Sequence, residues 1–135
     1  MKSILLVDDD TNCLNLLELI LESNGLKVTK TTNGVEAVKI LKKVHFDVII
    51  IDLHMPGMNG IQLAKKVKEL HMGIFIILVT AGLLPDVIEA AANTGISQVF
   101  NVKQLLASIK LAHGGMYTDV SQNSKVPADD NGVVR

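Results

Sequence analysis

Four acids and one threonine stand where chemistry could be done. Asp52 ends the apolar run Val48-Ile49-Ile50-Ile51 and is followed at once by the turn-rich string Leu53-His54-Met55-Pro56-Gly57-Met58-Asn59-Gly60. Asp8, Asp9 and Asp10 follow a second run, Ile4-Leu5-Leu6-Val7, and Thr80 follows a third, Ile74 to Val79. An acid beside Pro and Gly commonly caps a turn. At the carboxyl end of a central strand it stands instead where open α/β sheets bind their ligands. Acids delivered to one sheet edge repel each other, which costs stability and raises pKa values unless a cation joins them. Oxygen ligands with room for water suit Mg²⁺, a hard ion held by one or two carboxylates and by phosphate oxygens. Such an ion would also neutralise a phosphoryl group arriving at Asp52, and carboxylates are nucleophiles toward phosphoryl donors.

The elements that must position these residues alternate along the chain. Ile4–Val7 reads as a strand buried on both faces, and from Thr11 the positions Leu14, Leu17, Ile20 and Leu21 recur at helical spacing until Asn24-Gly25. A modest strand over 26–31 precedes Asn33-Gly34, which opens a helix with Val35, Val38 and Leu41 on its apolar side. The strand at Val48–Ile51 leads through the turn into a helix stepped by Ile61, Ala64, Val67 and Leu70, with Lys65, Lys66 and Lys68 as its solvated face. Ile74–Val79 is another buried strand, and Pro85 suits the first turn of a helix that Asn93-Thr94-Gly95 closes. A weaker strand over 96–102 and a helix over 104–113, ending at Gly114-Gly115, complete the series. Strand then helix, five times over with short connections, predicts an α/β fold: a doubly wound five-stranded parallel sheet with helices on both faces. Residues 1–115 are expected to form this one domain. The polar segment 116–135, with Pro127, Asp129, Asp130, Asn131 and Gly132, is expected to be a disordered tail or linker.

Composition narrows the classes of function. With 135 residues and 48% hydrophobic content, the chain suits one domain with one core. Thirteen basic against 14 acidic residues give a formal net charge of -1, which argues against direct binding to nucleic acid or to an anionic membrane. The single cysteine, Cys13, cannot form an intramolecular disulfide and fits a reducing compartment as a structural thiol. No stretch approaches the ~18 apolar residues of a membrane span, and no targeting segment is visible, so the expected location is cytoplasmic. His45, His54, His71 and His113 lack the spacing of a zinc site. Dinucleotide binding finds no glycine in Val7-Asp8-Asp9-Asp10-Thr11 to let a pyrophosphate approach. Met55 and Met58 read as packing residues.

Taken together, Val7-Asp8-Asp9-Asp10, the string Asp52 to Gly60, and Val79-Thr80-Ala81 resemble the receiver domain of two-component response regulators, over about Lys2 to Gly114. The resemblance implies the flavodoxin-like receiver fold. It implies that Asp52 is the phosphoacceptor, served by a sensor histidine kinase or phosphotransfer protein, and that Asp8 and Asp9 form the acid pair. Asp9 and Asp52 would hold Mg²⁺ with the backbone carbonyl of His54; Thr80 would be the switch hydroxyl, and Ala81 the small residue that leaves the phosphate pocket open. His54 and Gly82 would line the route of attacking water, and Asp10 matches no site position and reads as solvent-facing or helix-capping. The family's phosphate-pairing lysine, normally followed by proline, has two possible matches. Phe100-Asn101-Val102-Lys103 points to Lys103, whereas alignment backward from the last helix points to Gln98, which would forgo a contact worth roughly 1.5 to 3 kcal/mol. The expected function is a signalling phosphoacceptor with only self-catalysed phosphoryl chemistry, switching a face that an unidentified protein target reads. The alternative is a receiver-like interaction module that does not switch. A phosphatase with an aspartyl-phosphate intermediate would usually carry a second acid where His54 stands.

Overall fold

The computed structural model describes residues 2–70, 73–82 and 85–113, without the side chains of 110–113. The expected tail over 116–135, the Gly114-Gly115 helix end and His71 lie outside the described residues. Five strands, β1 (Ser3–Val7), β2 (Lys27–Thr31), β3 (Val48–Asp52), β4 (Phe75–Val79) and β5 (Gln98–Phe100), form one sheet in the order β2-β1-β3-β4-β5, with every neighbouring pair parallel. The helices α1 (Thr11–Ser23), α2 (Gly34–Leu41), α3 (Gly60–Leu70), α4 (Pro85–Thr94) and α5 (Val102–His113) alternate with them.

Pleating sorts the strand side chains between two cores. Leu5, Val7, Ile49, Ile51, Ile76 and Leu78 meet Ala37 and Leu41 of α2, Leu63, Ala64 and Val67 of α3, and Ala91 of α4. Ile4, Leu6, Ile50, Ile77 and Phe100 meet Leu14, Leu17 and Leu21 of α1 and Leu105 and Ile109 of α5. With β3 central and covered on both faces, its β-branched run is explained, and Asp52 is its last residue.

Three expectations are corrected. The strand expected over 96–102 ends at Phe100, because Asn101 caps α5: its backbone N–H donates to Gln104 Oε1 at 2.9 Å and its Oδ1 accepts from the Gln104 N–H at 2.8 Å. Val102 and Lys103 are therefore helical. Val35 is 57% exposed, and α2 buries Ala37 and Leu41 instead. In α3, Leu63 is fully buried whereas Leu70 is 37% exposed. The expected packing role of the methionines holds: Met55 is buried in the core, and Met58 packs against it beside Gly34.

Candidate functional site

The carboxyl ends of β1, β3 and β4 open on one side of the sheet, where Asp8, Asp9, Asp52, Thr80 and Ala81 line a single cavity. Three acids converge there. One carboxylate oxygen from each of Asp8, Asp9 and Asp52 can be chosen so that all lie within 4.8 Å of one another. Asp8 follows β1, where its backbone N–H donates to the Thr31 carbonyl at 3.2 Å and its Oδ1 accepts from the Asp10 N–H at 3.0 Å. Asp10, also on the cavity wall, caps α1, accepting from the N–H groups of Asn12 at 2.9 Å and Cys13 at 3.3 Å.

Asp52 is held by the turn behind it. Gly60 opens α3 so close to the end of β3 that a Cβ there would lie 2.6 Å from the Asp52 carbonyl oxygen. Its N–H donates to the Leu53 carbonyl at 2.9 Å, and Asn59 and Gln62 cap the helix reciprocally, both bonds at 2.9 Å. The Asp52 carboxyl is pushed up from 3.8 to about 6. Loss of solvent is the main cause, followed by repulsion from Asp8; a hydrogen bond from the His54 backbone N–H opposes the rise, Asp9 adds to it, and the nearby His54 ring opposes it. The side chain of His54 is otherwise exposed.

Thr80, only 2% exposed, sits one residue beyond β4. Its N–H donates to the Phe100 carbonyl at 3.0 Å, and its Oγ1 donates to the Gly82 carbonyl at 3.1 Å. Ala81 and Gly82 are exposed beside it. The structure does not bring the lysine candidates into this group. Lys103 is exposed in the first turn of α5 and is absent from the cavity wall, because β5 stops three residues earlier. Gln98 opens β5 opposite Ile77, two residues short of the strand's carboxyl end. The position beyond that end belongs to Asn101, whose side chain is committed to the cap of α5.

A hard cation fits this donor set. Octahedral Mg²⁺ with oxygens at ~2.1 Å spans ~4.2 Å across opposite ligands, so small side-chain adjustments bring the three carboxylates into range. Cys13 also lines the cavity, with its thiol pushed up to about 12 by burial and by Asp8, which keeps it protonated and unreactive. Sequence reasoning overlooked Val102 and Leu105, which wall the cavity from α5; the early start of that helix, signalled by Asn101 and Gln104 three residues apart, was the available clue.

The family model described as the response regulator receiver domain matches residues 4–110. The chain belongs to this receiver family. Among curated relatives, the receiver is 39% identical over 88 residues to the transcriptional regulatory protein GlrR of Escherichia coli, covering 64% of this chain and 20% of that protein. It is 27% identical over 113 residues to sporulation initiation phosphotransferase F of Bacillus subtilis, covering 81% of this chain and 91% of that protein. A crystal structure of a Burkholderia pseudomallei response regulator with a phosphorylated aspartic acid, calcium ion and citrate matches with a TM-score of 0.81 at 25% identity, covering 100% of this chain and 78% of that one. The receiver spans between 20% and 42% of the length of the first curated relatives it matches. Among the described residues no helix is long and apolar enough to cross a membrane.

Proposed function

We propose that this receiver accepts a phosphoryl group on Asp52 from a phosphohistidine of a sensor kinase or phosphotransfer protein. The observation that carries this reading is the convergence of Asp8, Asp9 and Asp52 at the end of the central strand, beside the buried Thr80. A carboxyl titrating at about 6 is mostly ionised at pH 7 and stays nucleophilic. One Asp52 oxygen attacks phosphorus, the P–N bond of the phosphohistidine breaks, and its electron pair returns to the imidazole ring. Mg²⁺, when bound to Asp8, Asp9, Asp52 and the His54 carbonyl, supplies neutralising charge for the incoming phosphoryl oxygens. The His54 N–H orients the Asp52 carboxylate for attack. Thr80 then exchanges its Gly82 bond for a phosphoryl oxygen, which biases a two-state change on the β4–β5 side. Hydrolysis returns the free carboxylate: water attacks phosphorus, and inorganic phosphate leaves. No dedicated base is required, because positioning and charge neutralisation lower the barrier.

The exposed position of Lys103 favours a second reading, a receiver that docks a partner without switching. Incubation with a phosphorylated histidine phosphotransfer protein separates the two. Label passing to this chain with Mg²⁺, and failing to pass when a chelator removes it, supports the phosphoacceptor. Retained binding without transfer supports the docking module.

A further inference from the structure

The cavity that carries the acids extends well beyond them. Its volume is about 330 Å³, and behind the acidic end its walls are apolar: Leu14 and Leu17 of α1, Val102 and Leu105 of α5, over Leu6 and Ile50 of the sheet. Clefts of this size with mostly apolar walls and a few converging polar groups are typical ligand seats. Among the described residues, no lysine, arginine or histidine lines the cavity. Val102, itself part of the cavity wall, is still 47% exposed, and Leu16 at 57% and Leu19 at 68% exposed leave bare apolar surface elsewhere on α1.

We propose that this cleft seats a lysine or arginine side chain of a partner protein, which provides in trans a positive charge that none of the described lining residues supplies. The proposal rests on the phosphoacceptor reading. A phosphoryl group brings about -1.5 to -2 charge to a place already holding Asp8 and Asp9, so even a bound divalent ion leaves well over one negative charge uncompensated. The cleft complements a basic side chain in both respects. Its apolar walls suit the methylene stem and its acidic end suits the charged head, the usual division of a long basic side chain. The exposed Val102 on the cleft wall and Leu16 of α1 suit apolar neighbours of that residue on the partner, so the occupant is a protein surface with one basic residue set among apolar ones.

Butylammonium, a lysine side chain without its backbone, is the first probe. With acetyl phosphate and Mg²⁺ at fixed ionic strength, it should accelerate phosphorylation of Asp52 about tenfold over sodium, the low end of a charge-assisted contact. Val102→Lys should raise the basal rate similarly and abolish the response to the amine. A synthetic amphipathic helical peptide with one lysine flanked by leucines should act at about tenfold lower concentration than butylammonium, since a buried leucine adds at least that much. Leu16→Glu should remove this advantage and keep the butylammonium effect. Equal rates in butylammonium and sodium would overturn the proposal, as would a peptide no better than butylammonium. A Lys125→Gln chain phosphorylated about tenfold more slowly than wild type would assign the charge to this chain and equally overturn it. Absence of phosphorylation in every buffer contradicts the phosphoacceptor reading instead. The cleft is then judged by methyl NMR of the protein without Mg²⁺: butylammonium should shift Leu14, Leu17, Val102 and Leu105, and unshifted signals overturn the seat.

Discussion

Replacing Asp52 by Asn should make the metal-free protein more stable near neutral pH, and the effect should vanish in acid. The Asp52 carboxyl titrates at about 6 rather than 3.8, chiefly because burial strips its water and Asp8 repels its charge. The folded state therefore holds this proton more tightly than the unfolded chain does. The resulting stability is fully present below 3.8 and is lost as pH rises through about 6. A gap of this width corresponds to ~3 kcal/mol in a fully shielded site. Asp52 keeps contact with solvent, which reduces the expected loss to about 1–2 kcal/mol. Urea unfolding of wild type and Asp52→Asn, in a chelator and from about pH 3.5 to about pH 7.5, measures the difference. Asn keeps the shape and cannot ionise, so the difference between the two curves isolates the Asp52 proton. The wild type should fall below the variant across this window by that amount, and saturating Mg²⁺ should reverse the order. Parallel curves, or a wild type that gains on the variant as pH rises, would refute the electrostatic account of the site.

Three further outcomes follow from the same geometry. Mg²⁺ at ~100 times its dissociation constant should stabilise the wild type by about 2.7 kcal/mol, and Asp9→Asn should lose most of that gain in thermal unfolding. Gly60→Ala should destabilise by about 1–3 kcal/mol in urea, because the new Cβ meets backbone at Asp52 and Leu53 that cannot yield as a flexible side chain would. Asp10→Ala should cost about 1 kcal/mol from the lost cap of α1, while Asp10→Asn, which still accepts from the Asn12 and Cys13 N–H groups, should cost much less.

The parts of the fold legible in the sequence were those set by unbroken physical patterns. Ile4–Val7, Val48–Ile51 and Ile76–Leu78 are apolar on both faces because helices cover both sides of the sheet, and their shortness and β-branched content favour strands over buried helix segments. The acids and Thr80 were readable because each directly follows such a run. Less regular segments misled. Val35 shares the helical period of Val38 and Leu41, yet it lies on the solvent side, since periodicity identifies a stripe without fixing its centre. The residues 96–102 contain enough apolar and β-branched character for a longer strand. The reciprocal cap between Asn101 and Gln104 instead starts α5 at once, a local hydrogen-bond preference that outweighs strand propensity. That single capping choice carries Lys103 onto an exposed helical turn and leaves Val102 against the cavity.

The most direct test of the central claim is the intact mass of the protein after treatment with acetyl phosphate and Mg²⁺. The account predicts a gain of one phosphoryl group in the wild type and none in Asp52→Asn. No gain in the wild type, or an equal gain in both proteins, would contradict it.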